Sequence, residues 1–140
     1  MPPRYPAALI PELRSLWLGS ISEIADIHLQ WASWRNPENK NPHWSYVEIV
    51  ESYFEQIGLR EGYGYAVENR IVSAGEALAA KAFHELLSAY QPPNGDQFDH
   101  RAILEDPNWL AVSNAAEKAF EALLRLSFNS PTYLGAFDEA

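Results

Sequence analysis

Apolar positions in this chain recur at helical spacing almost throughout, and no alternating run long enough for a convincing strand interrupts them. Residues 1–8 are studded with proline and read as an extended arm. "LIPELRSLWLG" predicts a short helix beginning at Pro11, with proline suited to a first turn, and Gly19 ending it. In "SISEIADIHLQWASWR" Ser20 precedes Glu23 by three, a capping-box pattern, and Ile21, Ile24, Ile27, Trp31 and Trp34 form one stripe. "NPENKNP" is a loop by composition. The next helix begins at Asn41–Pro42, or later at Ser45 with Glu48. It carries Tyr46, Val47, Val50, Tyr53, Phe54 and Ile57 on its apolar face, and Gly58 stops it. "REGYGY" reads as a flexible turn.

From about Ala66 to Tyr90 the period is helical again, with Val67, Ile71, Ala74, Leu78, Ala82, Leu86 and Ala89 on the side expected to face the core. Gly75 is the weakest point of that run. Pro92 and Pro93 end it, and Asn94–Gly95 suits a turn of positive φ. Asp99 is placed to cap a short "HRAIL" helix. Asp106 before Pro107 is placed to cap a last long helix, with Val112, Ala116, Phe120 and Leu123 inward. Residues 127–140 read as an irregular tail. The expected fold is all-α: one domain, residues 1–140, a bundle of about four main helices plus short ones.

Composition narrows the chemistry. Cysteine is absent, which excludes disulfides, thiolate catalysis and Cys-ligated zinc. Five Trp, seven Tyr and six Phe supply enough apolar surface for one core. Nineteen acids against ten bases give a formal charge of −9, and the bases are scattered singly, so nucleic acid is not an expected partner. Residues 71–140 hold ten acids and four bases, a stronger imbalance than the first half. No stretch resembles a signal peptide or a membrane span, so the expected setting is cytoplasmic, with no membrane partner.

Candidate polar sites are few. Glu48, Glu51 and Glu55 share one flank of a helix, with no Lys or Arg within four positions on either side. Such a flank suits a basic protein partner, plain solvation, or a hard cation. All-α nucleotide pyrophosphohydrolases pair E-x-x-E with a later E-x-x-D; here Glu48-x-x-Glu51 is present and no E-x-x-D follows. His28 projects among Ile21, Ile24 and Trp31, which suggests a core histidine; the alternative is a ligand or an acid–base group. His28, His43, His84 and His100 complete no Glu-x-x-His, H-x-x-x-H or H-E-x-x-H pattern. Trp34 and Trp44 flank "NPENKNP", and if partly exposed they suit a partner anchor. In "YQPPNGDQFDHRAILEDPNW" helix capping accounts for Asp99 and Asp106, leaving Asp96, His100 and Glu105.

"IADIHLQWASWRNPENKNPHWSYVEIVESYFEQIGL" and "YQPPNGDQFDHRAILEDPNWLAVSNAAEKAF" together resemble small, acidic, largely helical bacterial immunity proteins, the partners of polymorphic or contact-dependent toxins. The first stretch resembles their I-A-D…Q…W opening and aromatic-rich acidic helix. The second resembles a recurring helix start, L-x-D-P-x-W. The resemblance implies a non-enzymatic protein that blocks a cognate toxin through an acidic surface, with Glu48, Glu51 and Glu55 as the first residues to test. The expectation is therefore a binding protein with no cofactor, no catalytic residue and no metal ligand, its partner surface formed by Glu48, Glu51, Glu55, Trp34 and Trp44. A metal-dependent hydrolase or metal-binding bundle using the same carboxylates is the alternative, and a self-associating structural module is the third.

Overall fold

In the computed structural model, residues 7–34 and 45–129 are described. They form seven α-helices and no strand, after a 3-10 turn at Ala7–Leu9. The helices are α1 (Ile10–Ala25), α2 (Ile27–Trp34), α3 (Tyr46–Gln56), α4 (Gly64–Glu68), α5 (Ala74–Ala89), α6 (His100–Leu104) and α7 (Pro107–Asn129). The chain is an all-α bundle. α7 packs along both α5 and α1, α1 also lies on α3, and α2 meets α6. The core between them holds Trp17, Ile21 and Ile24 from α1, Ile49 and Tyr53 from α3, Phe83 and Leu87 from α5, and Trp109, Val112, Ala116 and Leu123 from α7. No helix among the described residues is long and apolar enough to cross a membrane.

Where the chain breaks differs from the sequence reading. α1 runs straight through Gly19. One helical glycine costs only about 1 kcal/mol, less than burial of the neighbouring Trp17, Ile21 and Ile24 returns. Ser20 is then a mid-helix residue whose hydroxyl donates back to the Trp17 carbonyl at 2.8 Å, and it caps nothing. The interruption falls at Asp26 (φ −97, ψ 82), whose carboxylate accepts the Leu29 N–H at 3.0 Å and starts α2.

Ser45, the later of the two expected starts, caps α3 by accepting the Glu48 N–H at 3.1 Å; the first-named start, Asn41–Pro42, lies outside the described residues. Gly58 ends this part of the chain as expected. Its φ is +72, and a Cβ there would come within 2.9 Å of the Tyr65 ring. "REGYGY" is more than a turn: Tyr63 is buried and α4 begins at Gly64.

The run from Ala66 to Tyr90 is two helices. Arg70 takes a left-handed φ of +61, and Ser73 with Glu76 forms a complete capping box that starts α5. The break resets the helix. Ala80, Phe83 and Leu87 face the core, while Ala74, Leu78, Ala82, Leu86 and Ala89 face outward, the reverse of the expected face. Glu76 is buried yet doubly engaged. Arg14 of α1 clamps it through two hydrogen bonds, at 2.9 and 2.6 Å, and also donates to the Ile71 carbonyl at 2.6 Å. A bidentate pair of this kind ties the start of α5 to α1. Asp99 and Asp106 cap α6 and α7 as expected, accepting the N–H groups of Ala102 and Asn108. Residues expected to be irregular from 127 are helical as far as Asn129.

Candidate functional site

The three glutamates of α3 do not form one free acidic face. Glu51 and Glu55 are exposed and share a cation: Arg60 donates from Nη2 to Glu51 at 2.7 Å and from Nε to Glu55 at 2.5 Å. Gly58 turns the chain, and Arg60 folds back along α3 from beyond the four-residue window in which a helical neighbour would be sought. Its guanidinium lies 5.5 Å from the centre of the Phe54 ring. Glu48 stands apart, half-buried at the start of α3. It lines a depression of about 330 Å³ with Trp34, Val47, Phe98 and His100.

Trp34 is no exposed anchor. It is 5 % exposed and sits among Tyr46, His100 and Trp109, with ring centroids 6.2, 5.4 and 5.9 Å away. Its end of α2 packs inward because Gln30, Ser33 and Trp34 form the buried side of that helix. Trp44 and His43 lie outside the described residues. Gln30 was not singled out in the sequence, yet it organises this corner. Its Nε2 donates to the Glu23 and Ile24 carbonyls at the Asp26 break, at 2.8 and 2.9 Å, the first of which also accepts the Asp26 N–H, and its Oε1 accepts the Trp109 indole N–H at 2.9 Å. Tyr90 donates to Asp106 at 2.9 Å beside it. The segment around Gln30 and the one around Trp109 therefore meet in packing.

The histidines separate into three situations. His28 is exposed, contrary to the core position expected of it, because the break at Asp26 rotates α2 relative to α1. His100 places Nδ1 3.0 Å from the Trp34 carbonyl, which requires the proton on Nδ1. Its Nε2 is buried with no hydrogen-bond partner. The remaining members of its cluster are engaged elsewhere: Asp96 accepts the Phe98 N–H and Glu105 pairs with Arg101.

His84 ends a buried relay that no sequence spacing announces. The Trp17 indole N–H donates to the Tyr63 oxygen at 3.0 Å, Tyr63 lies 2.7 Å from Tyr53, and the Tyr53 oxygen lies 2.8 Å from His84 Nδ1. An indole can only donate. Every hydroxyl proton finds an acceptor if Tyr63 donates to Tyr53 and Tyr53 donates to an unprotonated Nδ1. Burial pushes the Tyr63 hydroxyl up to about 12 and the Tyr53 hydroxyl higher still, so both keep their protons. Burial also lowers the pKa of His84, against the opposing charge of Glu85. This is a satisfied structural network, with neutral groups at every position.

Among the described residues no group of three or more His, Asp or Glu side chains is placed to hold a metal ion. Among the described residues an uncovered apolar face lies instead on the outward side of α5. Ala74, Gly75, Leu78, Ala82, Leu86 and Ala89 are all exposed, Leu78 at 73 %. Beside Leu78 a shallow groove of about 400 Å³ opens, walled by Tyr63, Ala77, Lys81 and His84. Comparison with protein-family models, curated proteins and solved structures finds no match to this chain.

Proposed function

We propose that this protein acts by binding another protein through the exposed face of α5 and carries out no chemistry of its own. The observation that carries this reading is Leu78, a leucine 73 % exposed within a face of α5 whose other exposed apolar positions are Ala74, Gly75, Ala82, Leu86 and Ala89. A scattered surface leucine needs no explanation, but an Ala/Gly/Leu face bordered by Lys81 and Glu85, with a groove at its side, has the make-up of a recognition surface. The histidines and tyrosines support the same reading, since the relay residues are held neutral in packing. The class implied by the family resemblance, a non-enzymatic binder, agrees with this proposal in kind.

The location differs from the one expected. Glu51 and Glu55 already share Arg60, so a basic partner would have to displace an existing pair to use them. The acidic exterior then serves solubility, and α5 serves recognition. Photo-crosslinking in the expressing cell tests this. A benzophenone amino acid at Ala82 is expected to give a specific protein adduct, and the same group at exposed Glu117 of α7 is expected to give none. Equal labelling from both positions, or none from Ala82, overturns the reading.

A further inference from the structure

The charges around the α5 stripe narrow the choice of partner. At about 100° per residue, Leu78, Ala82 and Ala89 form the centre line, with Gly75 and Leu86 on one flank and Ala74 toward the other. Lys81, Glu85 and Ser88 lie on the other flank, all exposed. The two charges cancel, so the face has no net sign to attract a strongly basic or acidic partner. They also stand in the less favourable order for pairing within one helix, Lys four residues before Glu, and neither takes part in an ion pair among the described residues.

A two-fold axis near Ala82 provides what the single chain lacks. Two antiparallel copies of α5 then bring each flank against its own counterpart. Lys81 of one copy reaches Glu85 of the other, and the pair forms twice. Along the axis Leu78 falls level with Leu86 of the second copy, whose side chain comes from the flank. Ala74, Gly75, Ala82 and Ala89 present no bulk, which permits backbone approach near the close end of helix packing, about 8 Å. From these observations we infer that the occupant of the α5 face is a second copy of this chain, packed antiparallel through α5 in an isologous dimer. The inference rests on the reading of α5 as a binding face and names its partner.

The contact is modest. α5 has 16 residues and is about 24 Å long, so the interface falls at or below the low end of the standard range of about 1,200–2,000 Å². Association is therefore expected in the micromolar range, with rapid exchange.

Sedimentation velocity on the full chain, from about 1 to 200 µM, is the test. The mass is expected to rise from 15.8 kDa toward twice that value. Leu78→Glu is expected to hold the chain monomeric at every concentration with its helical circular dichroism unchanged, since Leu78 makes little of the core. Lys81→Glu and Glu85→Lys should each weaken association by about fivefold or more, and the double exchange should restore it. A dimer that survives Leu78→Glu overturns the inference, as does a double exchange that fails to restore association. A wild-type chain that stays monomeric at 200 µM also overturns it, whether the stripe is covered by another protein or by residues 130–140. In that case an Ala82 adduct with a different protein leaves the binding-face reading standing, and the absence of any Ala82 adduct removes both.

Discussion

His84 accepts the last of a run of hydrogen bonds that begins at Trp17, and its Nδ1 must be unprotonated to do so. Protonation turns that nitrogen into a donor. Tyr53 must then donate to Tyr63, whose oxygen already accepts from Trp17, and the Tyr63 proton loses its acceptor. Stability should therefore depend on pH in a definite direction. Burial lowers the His84 pKa in the folded chain below the unfolded value of about 6.5, so the unfolded chain binds more protons in that window. Stability is complete above about pH 6.5, falls as pH drops through the interval down to the folded pKa, and levels off below it as far as this residue is concerned. Tyr53, Tyr63, Lys81 and Glu85 are the other ionisable groups around the imidazole; the tyrosines keep their protons throughout, and Glu85 works against the shift. Urea midpoints at pH 7.5 and 5.5 should differ for the wild type and differ less for His84→Gln. An equal pH dependence in both proteins would assign the titration to another group.

At the scale of elements, the break between α1 and α2 is held by one amide side chain. Gln30 satisfies two backbone carbonyls and the Trp109 indole together, joining the α1–α2 corner to α7. Gln30→Ala strands the buried Ile24 carbonyl and Trp109 indole N–H and removes a packed side chain, while the Glu23 carbonyl keeps the Asp26 N–H. A loss of about 2–4 kcal/mol is expected, since each orphaned polar group costs about 1–3 kcal/mol and some relaxation offsets the sum. For a domain of this size that corresponds to a drop in melting temperature of roughly 5–15 °C. A thermal melt that moves by less than about 2 °C would show that water replaces the amide there. The same corner shows what the sequence could and could not convey. Some caps written in adjacent residues were legible, at Ser45, Asp99 and Asp106, while the Ser73–Glu76 box went unread and Ser20, at the same spacing from Glu23, caps nothing. Legible too were the inward faces of α3 and α7, where one period runs unbroken. The α5 face was not legible. Val67 and Ile71 continue the apolar spacing across a break that Arg70 makes in the left-handed region, without a glycine to mark it. Arg60 and Gln30 were missed for a related reason, since their partners lie across turns that only the folded chain closes.

At the scale of the whole molecule, charge and apolar surface make opposite demands on salt. The chain carries −9, while the exposed ion pairs among the described residues are few: Arg60 with Glu51 and Glu55, and Arg101 with Glu105. Exposed pairs of this kind contribute about 0–1 kcal/mol each, and salt screens them over about 10 Å at 0.1 M. The general repulsion among the remaining acids is screened by the same ions, and it outweighs so few pairs. Raising sodium chloride from 10 to 500 mM should therefore raise the melting temperature of monomeric Leu78→Glu, a variant that removes any contribution from association. A fall would mean that the ion pairs dominate. The same titration separates the two surfaces on which this protein could act. Association driven by the leucines and alanines of α5 should vary little over that range, because only the Lys81 and Glu85 pairs are screened. Capture of a basic partner by Glu48, Glu51 and Glu55 should instead weaken steeply, as attraction steered by charge does. Binding that is lost by 500 mM salt would move the recognition surface from α5 back to α3.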